Sequence, residues 1–161
     1  MFVCALLCLL LRPRIVQYKS LWALTNIAAG NHEHAEYLVG QGAAPEFVRL
    51  MSSNIARLRE QACWALGNIA GDCAELRDEV LAAGAMNAVL EMLRPDDAKL
   101  SAVKTATWTM SNLCRGKPPP AFNEVRTFLC TSVGVAVLGV GCGAVEVERD
   151  GMMITQFYRP T

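Results

Sequence analysis

The chain has 161 residues, of which 53% are hydrophobic and 19% charged, with 15 basic and 15 acidic side chains. That is more apolar and less charged than an average soluble domain and leaves enough apolar side chain for a sizeable core. The charge is unevenly placed: residues 1–30 carry three basic side chains and no acid, whereas residues 31–100 carry eleven Asp/Glu against six Lys/Arg. An acidic middle disfavours nucleic-acid phosphate and favours a basic partner.

The run MFVCALLCLLL at Met1–Leu11 is too short to span a bilayer, which takes about 20 apolar residues. It lacks the charged n-region of a signal peptide, and Arg12-Pro13-Arg14 is a poor cleavage site. It is expected to be a buried helix of a partial first unit, with no membrane partner.

From there the chain repeats. LWALTNIAAG (Leu21–Gly30), CWALGNIAGD (Cys63–Asp72) and TWTMSNLCRG (Thr107–Gly116) each hold a Trp followed four residues later by Asn. Trp22, Trp64 and Trp108 are therefore 42 and 44 residues apart. A period near 42 is that of armadillo or HEAT units. Between the first two motifs, Glu33–Gln41 is expected to form a short helix stopped by Gly42. Pro45 then sits in the first turn of a helix through Phe47, Val48, Leu50 and Met51, and Ile55–Ala70 forms a longer one. The next unit repeats the plan: Ala74–Ala83 stopped by Gly84, Met86–Leu93 with apolar residues at helical spacing, a turn at Pro95-Asp96-Asp97, and a long helix from about Ala98 to Cys114. Short, middle and long helices make an armadillo triplet rather than a two-helix HEAT unit. The expected fold is all-α, a right-handed armadillo-repeat α-solenoid of about three units over residues 12–126. Beyond Thr127 the periodicity is lost. Ser132–Glu148 is Val/Gly-rich and more strand-like than helical, so residues 127–161 are left unassigned, an irregular or disordered tail packed apart from the repeats.

Seven cysteines occur without a CxxC pair, and His32 and His34 lie far along the chain from most of them. No metal site and no cofactor are expected, and the thiols fit reduced, mostly buried positions. No Ser-His-Asp pattern, phosphate-binding Gly loop or paired-carboxylate signature marks an enzyme. His32 and His34, at a helix start, are expected to be caps or surface groups.

The chemistry lies instead on the long helices. At 100° per residue, Gln61, Trp64, Asn68 and Asp72 fall within an arc of about 80°. Ala62, Leu66 and Ile69 occupy a different arc and form the natural core stripe. Trp22/Asn26 and Trp108/Asn112 repeat the first geometry, giving a ladder of indole rings each flanked by an amide. Asn can hold the N–H and C=O of an extended peptide, and indole faces accept the stem and cation of Lys or Arg. Asp72 offers a carboxylate to one ammonium. Its equivalents are Gly30 and Gly116, so the middle unit should hold one privileged lysine subsite.

WALTNIA, ACWALGNIAGD and TWTMSNLCR resemble the second, third and fourth armadillo repeats of the importin-α family, with RIVQYKS before Trp22 and PPPAFNEVR after the third motif in keeping. The resemblance covers roughly residues 12–126. It implies a nuclear import adaptor, present in cytoplasm and nucleus, that binds Lys/Arg-rich nuclear localisation signals of cargo proteins. Trp22, Trp64 and Trp108 would wall the major groove, and Asn26, Asn68 and Asn112 would hold the peptide backbone. Asp72 would pair with the key lysine, Gly30 would lie close to it, and Gln61 would edge the groove. Ala29, Ala35 and Thr105 depart from the family pattern and remove hydrogen bonds from that groove. The family also implies importin-β as a partner, through a basic amino-terminal arm that no segment of this sequence matches; nor does any segment match the later repeats. The alternative is an armadillo interaction scaffold with a different peptide ligand.

Overall fold

The computed structural model describes residues 9, 13–94, 99–121, 144–149 and 152–157. The chain divides into two compact units, residues 1–120 and 121–161.

The first unit is built from seven described helices: α1 (Arg14–Ala28), α2 (His32–Gly40), α3 (Ala43–Met51), α4 (Ala56–Ala70), α5 (Ala74–Ala82), α6 (Ala85–Leu93) and α7 (Leu100–Cys114). The boundaries have local causes. Asn31 caps α2, its side-chain oxygen accepting from the His34 amide at 3.0 Å, which satisfies one of the orphan donors of the first turn. Gly42 and Gly84, at φ 80° and 89°, make the left-handed corner between short and middle helix in each triplet; a side chain there would be strained. The two corners stand one 42-residue period apart. Pro45 is the third residue of α3, where its missing N–H leaves no helical bond unmade. Gly71 caps α4, so Asp72 lies in the turn that follows.

Each helix packs on its equivalent one unit on: α1 on α4 and α4 on α7, α2 on α5, and α3 on α6. That ordering is an armadillo solenoid, with α4 as its central rod. The stripe expected to be core is core: Ala62, Leu66 and Ile69 are fully buried, with Leu21 and Leu24 before them and Ala106 and Leu113 after. Phe47 on α3, Val80 on α5 and Val89 on α6 are likewise fully buried. Each buried Leu, Ile or Phe contributes about 1.5–3 kcal/mol, while Ala62, Ala65 and Ala106 let the rods approach closely.

Leu9, the described residue of Met1–Leu11, is helical and buried, and the Gln17 side-chain amide donates to its carbonyl at 2.8 Å. Arg77 is an unexpected core residue, fully buried despite its charge. Its guanidinium donates to the carbonyls of Arg115 and Pro118 at 2.7 and 2.9 Å and pairs with Asp78. It thereby ties the chain leaving α7, where helical carbonyls lack partners, to α5. Among the described helices, none is long and apolar enough to cross a membrane.

In the second unit, β1 (Ala144–Arg149) pairs antiparallel with β2 (Met152–Phe157), Ala144 opposite Phe157 and Arg149 opposite Met152. This part of the tail is therefore a two-stranded ribbon rather than irregular chain. The sequence AVEVER alternates Val with Glu, a pattern that favours a strand. Residues 127–143, which hold most of the Val/Gly-rich segment, lie outside the described residues.

Candidate peptide groove

Trp22 and Trp64, on the rods α1 and α4, are 49% and 46% exposed. Large aromatics left this open on neighbouring rods form an exposed aromatic surface. Trp108 on α7 is half-buried, because its six-membered ring lies against Gly67 on α4, with no room for even a Cβ between them. Lys19 sits 6.0 Å from the centre of the Trp22 ring, within cation–π range. One turn before Trp22, Lys19 is the counterpart of Gln61 and Thr105.

The asparagines differ from one another. Asn26 is exposed, Asn68 half-buried and Asn112 buried. Asn68 Nδ2 donates to the Thr25 carbonyl at 3.3 Å, and Asn112 Nδ2 donates to the Gly67 carbonyl at 2.8 Å. Both acceptors sit three residues after the Trp of the preceding unit. The amides thus form a unit-to-unit ladder. What the half-buried Asn68 can still offer a ligand is its oxygen and the second N–H.

Gln61, expected to edge the groove, is held by the preceding unit. It is buried, and its amide donates to the Thr25 hydroxyl at 2.9 Å, which itself donates to the Leu21 carbonyl at 2.8 Å. The hydroxyl one unit back supplies the partner that makes this burial affordable in hydrogen bonds. The α4–α7 junction uses a different link: the Thr109 hydroxyl donates to the Cys63 carbonyl at 3.0 Å, with Cys63 Sγ 3.4 Å away. Between Trp64 and Trp108 lies an open cleft of about 530 Å³. Tyr18, Arg57, Glu60, Lys104 and Thr105 line it with Gln61 and the two rings. Of these, Arg57, Glu60 and Lys104 carry no motif, and only the stacking of rods gathers them with Tyr18.

Asp72 has a partner. His32, the first residue of α2, places Nδ1 2.5 Å from its Oδ2, and the two side chains are 56% and 25% exposed. That hydrogen bond, and then the carboxylate's charge, raise the His32 pKa above its ordinary value. Gly30 lies just before, exposed, and a Cβ added there would meet the Ile27 carbonyl oxygen at 3.0 Å and His34 Nδ1 at 3.3 Å. The face of the middle unit therefore presents, in order, Trp64, Asn68 and an acid already held by an imidazole.

Helix triplets stacked with a period of 42–44 residues, and an aromatic–amide ladder along one row of rods, define an armadillo-repeat scaffold. The chain belongs to the armadillo/β-catenin-like repeat family, which matches residues 31–71 and 73–115. Its relatives are importin-α subunits. It is 45% identical over 142 residues to importin subunit alpha-1b of Oryza sativa subsp. japonica, covering 84% of this chain and 26% of that protein. It is 49% identical over 141 residues to importin subunit alpha-3 of Arabidopsis thaliana, again 84% of this chain and 26% of that one. To probable importin subunit alpha-A of Dictyostelium discoideum it is 40% identical over 123 residues, 68% of this chain and 22% of that one. The chain thus spans about a quarter of the length of these relatives. In fold it is similar to the designed armadillo repeat protein YIII(Dq)4CqI, with TM-score 0.70, 22% identity, and coverage of 79% of this chain and 51% of that one. It is likewise similar to the designed protein YIII(Dq.V1)4CPAF in complex with peptide (KR)4, with TM-score 0.72, 24% identity, and coverage of 85% and 56%.

Proposed function

We propose that this chain supplies the part of a nuclear import adaptor that grips Lys/Arg-rich nuclear localisation signals of cargo, working between cytoplasm and nucleus as a binding module rather than a catalyst. The observation that carries this is the pair of half-exposed indoles, Trp22 and Trp64, on adjacent rods, each with an Asn one turn on. An extended peptide advances about 3.3 Å per residue, and equivalent rods pack about 10 Å apart, so alternate peptide side chains can enter between rings. The indole faces would hold aliphatic stems and cations. Asn26, Asn68 and Asn112 would fix the backbone, and Asp72 would receive one ammonium on displacing His32. The kinship with importin-α subunits supports the same reading, as does the (KR)4 peptide seated on a designed protein of this fold.

One observation favours a different ligand at one position. Arg57 and Lys104 both line the cleft between Trp64 and Trp108, and would repel a second cation there while accepting a carboxylate or a main-chain carbonyl. Fluorescence anisotropy with a labelled Lys-rich peptide, and with an acidic one of equal length, decides between the two. The expected result is binding of the basic peptide alone, weakened roughly thirtyfold by Trp64→Ala, the loss of about 2 kcal/mol usual for a central aromatic anchor. Equal affinity of wild type and variant would exclude the groove, and preference for the acidic peptide would establish the other scaffold.

A further inference from the structure

We infer that His32, Asp72 and Cys73 form a binding site for a divalent transition metal of the Zn²⁺ class, shared between two repeats, whose occupancy withdraws Asp72 from the peptide groove.

His32 Nδ1, an Asp72 carboxylate oxygen and Cys73 Sγ all lie within 4.8 Å of one another. His32 opens α2, and Asp72 and Cys73 lie in the turn between α4 and α5. His32 and Cys73 are 41 residues apart, close to one period, so stacking brings together groups whose sequence spacing shows no metal signature. A tetrahedral ion with Zn–N and Zn–O near 2.0 Å and Zn–S near 2.3 Å needs ligand separations of about 3.3–3.6 Å. The His32–Asp72 contact of 2.5 Å must open, and the thiol must close in. Side-chain rotation suffices for both, since His32 and Asp72 are partly exposed and Cys73 half-buried. Glu75, whose carboxylate acts on the Cys73 thiol, is placed to orient the sulfur.

The donor set selects the ion. One imidazole nitrogen, one thiolate and carboxylate oxygen suit Zn²⁺ or Co²⁺, whereas Mg²⁺ and Ca²⁺ demand oxygen throughout. On binding, Cys73 loses its thiol proton to solvent, and the His32 proton moves to Nε2 so that Nδ1 presents a lone pair. The positive ion is then balanced by thiolate and carboxylate, with Glu36 and Glu75 near the imidazole. An Asp72 oxygen held by the metal is no longer free for a lysine ammonium. That competition, unlike the site itself, rests on the peptide reading.

The test uses the whole chain under a phosphine reductant, titrated with Co²⁺ alone. Wild type is expected to develop a thiolate-to-cobalt charge-transfer band that Zn²⁺ abolishes by displacement. Cys73→Ser should lose the band, although the other cysteines remain, and His32→Ala should weaken binding at least tenfold. Far-UV circular dichroism shows whether each variant keeps its helices; both substitutions are at turn or helix-start positions outside the core. A band that persists unchanged in Cys73→Ser, or no band in wild type, would overturn the site. Equimolar Zn²⁺ should then weaken the Lys-rich peptide at least fivefold in wild type and leave Cys73→Ser unaffected; an unchanged affinity of metal-loaded wild type would overturn the competition. If no peptide binds at all, the groove reading fails while the cobalt spectra still decide the metal site.

Discussion

Gly67 and Gly40 make a matched pair of glycine-to-alanine tests with opposite signs. Both lie in helices, Gly67 within α4 and Gly40 at the end of α2. Alanine should gain about 0.5–1 kcal/mol at either by reducing the freedom of the unfolded chain. At Gly40 nothing stands within 4 Å of the added methyl, so the gain should appear whole. At Gly67 the methyl would overlap the Trp108 ring and come within 2.6 Å of Thr109 Oγ1. Overpacking of this kind costs about 1–3 kcal/mol. If Thr109 swings away, its bond to the Cys63 carbonyl goes as well, about 1 kcal/mol more. The net expectation is Gly40→Ala more stable by about 0.5–1 kcal/mol and Gly67→Ala less stable by about 1–3 kcal/mol. For a unit near 100 residues, each kcal/mol moves the melting midpoint by about 4–8 °C. Thermal melts followed by circular dichroism measure both. A Gly67→Ala chain as stable as wild type would refute the close packing of Trp108 on α4, and with it the position of the third indole.

Asp72→Ala should weaken the Lys-rich peptide by roughly five- to tenfold, a charge-assisted bond discounted for the partial exposure of the carboxylate. The loss should concentrate on one peptide lysine, whose replacement by alanine becomes nearly free in the variant; a cycle in which every lysine stays equally important would reduce Asp72 to a surface charge. Arg77→Ala should destabilise by about 2–3 kcal/mol, because two carbonyl acceptors lose a charged donor. Hydrogen exchange should quicken at the end of α7 first, and uniform quickening along the unit would contradict the clamp. Burial pushes the Cys63 thiol up to about 12 and the Cys114 thiol up to about 11, from 9.0. The folded chain holds these protons more tightly than the unfolded one, so their contribution is intact below pH 9 and declines above it, by about 1.4 kcal/mol per pH unit per thiol. Urea midpoints between pH 8 and 10 should fall less steeply for Cys63→Ala than for wild type, and parallel slopes would refute the burial argument.

Much of the solenoid was legible because its signals are local and repeated. Gly42, Pro45 and Gly84 mark corners through backbone sterics alone, and 100° arithmetic separates Ala62, Leu66 and Ile69 from Trp64 and Asn68 without reference to any other helix. What escaped were pairings made by stacking. Gln61 reads as a surface amide until the Thr25 hydroxyl of the preceding unit is placed beside it. Arg77 reads as one charge on a polar helix, since nothing in the sequence says that the carbonyls of Arg115 and Pro118 need a donor. His32 reads as a helix-start residue, and only the one-period offset brings it to Asp72. The ribbon at 144–157 was legible in part: Ser132–Glu148 reads as strand-like, but strands of six residues each are too short for periodicity to fix their bounds or their pairing.

The same stacking makes three motifs that look alike in sequence unequal in use. Asn26 stands exposed, Asn68 is half-spent on the Thr25 carbonyl through a long 3.3 Å bond, and Asn112 is buried behind a 2.8 Å bond to Gly67. The indoles run in parallel: Trp22 and Trp64 are open, whereas Trp108 leans on Gly67, a glycine where the preceding unit has Thr25. At Trp22, Lys19 already occupies the region over the ring, so an incoming cation must displace one before it can bind. Among the described residues, the middle unit alone combines an open ring not overlain by a cation of its own chain, an amide with capacity left, and a carboxylate within the same arc. Binding energy on this face should therefore not be shared equally among three repeats. It should concentrate where Trp64, Asn68 and Asp72 meet, with the flanking units setting the direction and register of the peptide.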